Sequence, residues 1–100
     1  MATSGAASSA GVAIVVTDSE IAISPPEALA GPVTFVFRNE GSVRYRIAVE
    51  GPGADFENAG LEPASAIAIT LPLVPGRYYI TARSEAGPRR TWCVPLQVSG

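Results

Sequence analysis

One hundred residues, 47% of them apolar, with a net charge of −2, describe a single globular domain with enough core to fold alone. So small a charge excludes binding driven by bulk attraction to nucleic acid or to an anionic membrane. The lone cysteine, Cys93, excludes an intrachain disulfide. The chain has no histidine, and its basic residues are all arginine.

Residues 1–10, "MATSGAASSA", are small and polar without periodicity, so a flexible leader is expected there and the domain over 11–100. The leader lacks the basic n-region and apolar h-region of an intact signal peptide. No apolar run approaches the ~20 residues of a membrane-spanning helix. "GVAIVVT" (Gly11–Thr17) is a β-branched run, and "EIAIS" (Glu20–Ser24) alternates until Pro25 and Pro26 end it. "GPVTFVFRN" puts Val33, Phe35 and Phe37 on one face. "VRYRIAVE" points Val43, Tyr45, Ile47 and Val49 inward and Arg44, Arg46, Ala48 and Glu50 outward.

The glycines and prolines of "GPGADFENAGLEP" predict a loop from Gly51 to Pro63. "SAIAITLPL" then groups Ile67, Ile69 and Leu71, and "PGRYYITARS" groups Tyr78, Ile80 and Ala82. The last segment, "RTWCVPLQV", sets Trp92, Val94, Leu96 and Val98 against Cys93, Pro95 and Gln97. Pro95 donates no ladder bond, so this strand is expected to be an edge or bulged there. Seven short strands with no amphipathic helix predict an all-β fold, an antiparallel Greek-key β-sandwich whose inner faces share one core.

The phrases "LAGPVTFVFRNEGSVRYRIAVEG", "LEPASAIAITLPLVPGRYYITA" and "WCVPLQV" carry a resemblance. From about Ile21 to Val98 the chain resembles the cupredoxin family, sandwiches of the plastocyanin and azurin type. In that family a Gly-Pro-entered strand leads to an Asn-x-Gly turn and then to a histidine. Later a Pro-Gly-x-Tyr strand ends in cysteine, followed by a loop with a second histidine and a methionine before the last strand. On this chain the resemblance matches the first histidine position to Tyr45 and the cysteine position to Ala82. The second histidine position falls near Gly87 and the methionine position near Trp92. Blue copper requires two imidazoles and a thiolate. A metal-free cupredoxin-like domain without a cofactor is therefore expected, with Tyr45 packed into the former pocket.

At that end, or at a strand edge, Arg44, Tyr45, Arg83 and Trp92 are the expected binding contacts. Arg38, Arg44 and Arg46 suggest an anion-binding stripe, but Glu40 and Glu50 flank them and favour a solvated mixed-charge face. Phe35, Phe37, Phe56, Tyr45 and Trp92 are expected to fill the core, and Tyr79 to point outward. Cys93 is expected to be an inert, buried or partly buried thiol. No EF-hand pattern occurs, and serine or cysteine nucleophiles lack a histidine base, so no enzymatic activity is expected.

The expected function is that of a non-catalytic binding or structural module of an exported protein, periplasmic or extracellular. Its partner would be another protein or domain, with no nucleic acid and no membrane insertion, and the chain would be a monomer or weak dimer. Two alternatives stand beside it. One is a copper-binding electron-transfer protein with a degenerate site using Cys93. The other is an immunoglobulin-like adhesion domain. A first strand paired in parallel with a later one would separate the cupredoxin arrangement from the latter.

Overall fold

The computed structural model describes residues 10–87 and 89–100, so the expected leader lies outside it except for Ala10. Nine strands follow in order: β1 (Ala10–Val16), β2 (Ile21–Ser24), β3 (Glu27–Leu29), β4 (Gly31–Asn39), β5 (Tyr45–Gly51), β6 (Ala54–Leu61), β7 (Ala66–Leu73), β8 (Gly76–Ser84) and β9 (Thr91–Ser99). Their alternation sorts side chains between two faces. β4 buries Val33, Phe35, Phe37 and Asn39, and β8 buries Tyr78, Ile80, Ala82 and Ser84. Burying a large apolar side chain contributes roughly 1.5–3 kcal/mol, so two such faces gain most when pressed together.

One sheet has the order β3-β9-β8-β5-β6 and the other β2-β1-β4-β7. Val12, Ile14, Val16, Phe35 and Phe37 of the second face Tyr45, Ile47, Ile80 and Leu96 of the first in a single core. The Phe37 and Phe56 rings stack at 6.5 Å, joining β4 to β6. The sheets are mixed rather than purely antiparallel. β1 runs parallel to β4, with Ile14 beside Phe37, and β3 runs parallel to β9. The parallel first strand is the arrangement expected of a cupredoxin-like sandwich and not of an immunoglobulin-like one.

Two strands went unread in the sequence. β3 follows directly on the two prolines. β6 occupies the expected loop, because Ala54, Phe56 and Asn58 turn inward between Asp55 and Glu57 and the segment pairs with β5. Between Tyr45–Leu61 and Ile47–Asn58 the register advances two residues on β5 and three on β6, which is a β-bulge. Pro95 lies on the stretch of β9 before its pairing with β3 begins at Gln97, so it sits at an open edge as expected. Cys93 is a correction. It faces outward opposite Thr81 and is exposed, because its neighbours Trp92 and Val94 take the inward positions of the alternation.

The two outer faces differ in character. On the four-stranded sheet the outward side chains are small and uncharged, Ala13, Thr34, Val36 and Thr70 among them, apart from Arg38. The outer face of the five-stranded sheet is richer in charge, with Arg46, Arg83, Arg77, Glu50, Asp55 and Glu57.

Candidate functional site

The segments 17–20, 40–44, 62–65 and 85–87 gather at one end of the sandwich, where β1, β4, β6 and β8 finish. Asn39 organises this end. Its Oδ1 accepts from Gly41 N–H at 2.8 Å, closing an Asx turn, while Nδ2 donates to the carbonyls of Val43 at 2.8 Å and Leu61 at 2.7 Å. One buried amide thus ties β4, the 40–44 turn and the end of β6 together. The turn delivers Tyr45 to the inner face, fully buried.

The Tyr45 hydroxyl donates to Asp18 Oδ1 at 3.0 Å. Asp18 also accepts from Ser42 N–H, at 3.1 and 3.0 Å on its two oxygens, and Arg90 Nη1 lies 3.8 Å away. Hydrogen bonding from Ser42, through side chain and backbone, holds the Asp18 carboxyl below its ordinary value, helped by Tyr45 and Arg90 and opposed by desolvation. Burial pushes the Tyr45 phenol above its ordinary value, and the bond to Asp18 adds to the shift. Ser84 stands directly opposite Tyr45 on β8 and accepts from Arg90 N–H at 2.8 Å.

The sequence-derived positions separate here. Ala82, matched to the family's cysteine, pairs with Ile47, one strand period deeper than Tyr45. Ser84, not Ala82, shares the level of Tyr45. Trp92 pairs with Ala82, so it packs against the core at the deeper level rather than beside Tyr45. Its Nε1 is buried and without a hydrogen-bond partner among the described residues. Arg44 and Arg83 point outward, whereas Tyr45 and Trp92 point inward, so the four do not line one surface.

These residues do not fit a blue-copper centre. The chain has no imidazole, and Cys93 lies on the outer face of the sheet. The donors near Tyr45 are a carboxylate, a phenol and a hydroxyl, already bonded within the protein, and a guanidinium stands beside them. Among the described residues no group of three or more His, Cys, Asp or Glu is placed to hold a metal ion.

Outside this plug lies a polar cleft. Glu85 bridges Arg44 at 3.1 Å and Arg46 at 3.0 Å; Glu62 lies 3.3 Å from Arg44 and Glu57 3.5 Å from Arg46. Arg38 is 3.9 Å from Glu40. The stripe of Arg38, Arg44 and Arg46 is thus the mixed-charge face expected of it. Beside residues 85–87 an open cavity of about 560 Å³ is walled by Arg46, Arg83, Glu85 and Arg89. A second, of about 190 Å³, adjoins it past Arg46 and Arg83 and is lined as well by Glu50, Glu57, Thr81 and Thr91. Sequence reasoning singled out Arg83 but missed Asn39, Asp18 and Arg89.

No model of a known protein family matches the chain, and no curated protein matches it. Among solved structures it is similar to one described as a novel purple cupredoxin from Nitrosopumilus maritimus. The identity is 18% and the TM-score 0.53, over 90% of this chain and 99% of that one. A likeness at that identity concerns the fold: the protein is a cupredoxin-like β-sandwich.

Proposed function

We propose that the protein is a metal-free, non-catalytic cupredoxin-like domain that serves as a binding or structural module of an exported protein, periplasmic or extracellular. One observation carries the reading. The position that the family resemblance assigns to a copper-binding histidine holds Tyr45, whose hydroxyl is spent on Asp18 inside the fold. The hydrogen-bonded plug of Tyr45, Asp18, Ser84 and Arg90 takes the place of an open coordination sphere, and contacts then fall to the outward groups around it. Titration with Cu(II), Cu(I) and Zn(II), followed by desalting and metal analysis, tests this. The expected product is colourless and retains no stoichiometric metal. One retained equivalent of copper with a visible absorption band would falsify the reading. Fractionation of cells producing the full reading frame checks the location, and recovery in the cytoplasm alone overturns it.

A further inference from the structure

We propose that the cleft on the outer face of the five-stranded sheet, beside residues 85–87, binds an oxyanion: a carboxylate or phosphate group gripped by Arg83 and Arg89. The inference rests on the reading of the domain as a binding module and names the chemistry of what it binds.

The strand register makes the first argument. Arg83 on β8 stands opposite Arg46 on β5 and opposite Thr91 on β9, so a hydroxyl and two guanidinium-bearing side chains form one row across three strands. Directly opposed residues have Cβ atoms about 4.5–5.5 Å apart, and like charges placed so repel. Glu85 and Glu57 already answer Arg46, so the charge in this row left for an added negative group is that of Arg83.

The ion pairs make the second. Among the described residues, the carboxylates around the larger hollow each have a guanidinium other than that of Arg83 or Arg89, and Glu50, which borders the smaller hollow, forms no ion pair with either. Glu85 serves Arg44 and Arg46, Glu62 serves Arg44, Glu57 serves Arg46, and Asp18 faces Arg90. Among the described residues the side chains of Arg83 and Arg89 have neither an ion pair nor a hydrogen bond, and both residues are exposed. The stripe that the sequence brings to notice is neutralised, and the uncompensated charge stands one strand away from it.

Cavity shape makes the third. Among the described residues, Arg46, Arg83 and Arg89 border the 560 Å³ hollow against the single carboxylate of Glu85, whereas Glu50 and Glu57 balance Arg46 and Arg83 at the 190 Å³ hollow, so an anion is favoured in the larger one. The planar five-donor fork of arginine matches a carboxylate or phosphate edge with two parallel bonds. The net charge of −2 supplies no long-range attraction, so the grip is short-ranged and depends on these particular side chains.

The test titrates the intact protein with inorganic phosphate and, separately, with succinate at constant ionic strength. It follows the backbone amides and the arginine Nε–H signals by NMR. Saturable shifts confined to residues around Arg46, Arg83 and Arg89 are expected. Arg83→Gln should weaken binding roughly tenfold or more, the loss of a charge-assisted bond. Arg77→Gln removes an exposed, ion-pair-free arginine from the other end of β8 and should leave the affinity unchanged. Preference for phosphate or for succinate tells which oxyanion the site takes. Non-saturable shifts with both anions overturn the proposal, and so does equal weakening by the two variants. Such a failure in a protein that also leaves copper unbound sinks this site and spares the metal-free reading. Retained copper sinks that reading whatever phosphate does.

Discussion

Tyr45 and Asp18 show how one pair of side chains ties the closed end to pH. The Asp18 carboxyl is held below its ordinary value in the fold, so its charged form contributes stability above the unfolded value of about 3.9. That contribution is lost as pH falls through the lower folded value. The Tyr45 phenol is raised above its ordinary value, so its protonated form contributes below about pH 10. That contribution is lost as pH rises through the higher folded value. Urea midpoints taken from about pH 3 to about pH 11 are expected to fall at both extremes. Asp18→Asn should flatten the acid side and Tyr45→Phe the alkaline side; unchanged slopes in the variants would show that other groups set the profile. The inward aim of Tyr45 was legible from period-two alternation. Its partner was not, since Asp18 lies 27 residues earlier in a turn with no periodic signal. The depth of Ala82, the residue matched to a ligand position, was hidden for a related reason. Counting from the Pro-Gly turn fixes a place along β8, but only the pairing with β5 shows that Ser84 shares the Tyr45 level.

At the scale of elements, Tyr78 does for the far end of the sandwich what Asn39 does for the near one. Its hydroxyl donates to Val74 O at 2.9 Å and accepts from Val74 N–H at 3.0 Å and Gly53 N–H at 3.1 Å, binding the β7–β8 and β5–β6 turns together. Gly51 is a glycine because a Cβ there would run into the Tyr78 ring. Tyr78→Phe should cost about 1–2 kcal/mol by stranding these turn amides. Gly51→Ala should cost about 1–3 kcal/mol through overpacking. Both are read from urea unfolding midpoints at constant m-value, and a neutral Gly51→Ala would show that the ring yields freely. β6 was illegible because its glycines and prolines lie at its ends and bulge, while its inward apolar set is short. Pairing with β5 and the Phe37–Phe56 contact override that local preference. The bulge itself sits by Gly60, where a Cβ would meet the Arg44 guanidinium, so backbone irregularity and side-chain placement are coupled there.

Across the whole molecule, two sheets share one core and no disulfide supports either, so neither sheet has an independent hydrophobic centre. Unfolding should be a single cooperative transition. Trp92 fluorescence and far-ultraviolet circular dichroism are expected to give coincident denaturation curves, and separated midpoints would show that the sheets melt apart. By itself the sequence determined the all-β class, the inward set from Val33 to Val98, the edge position of Pro95 and the lack of a blue-copper ligand set. Those follow from alternation, from the missing N–H of proline and from the inventory of donor atoms, all of which are local or compositional. Tertiary structure alone decided the parallel pairing of β1 with β4, the strand inside the expected loop, the Tyr45–Asp18 bond and which arginines keep uncompensated charge. Each of these depends on register between segments far apart in the chain. Register is set by how two faces fit into one core, and no single segment encodes that fit.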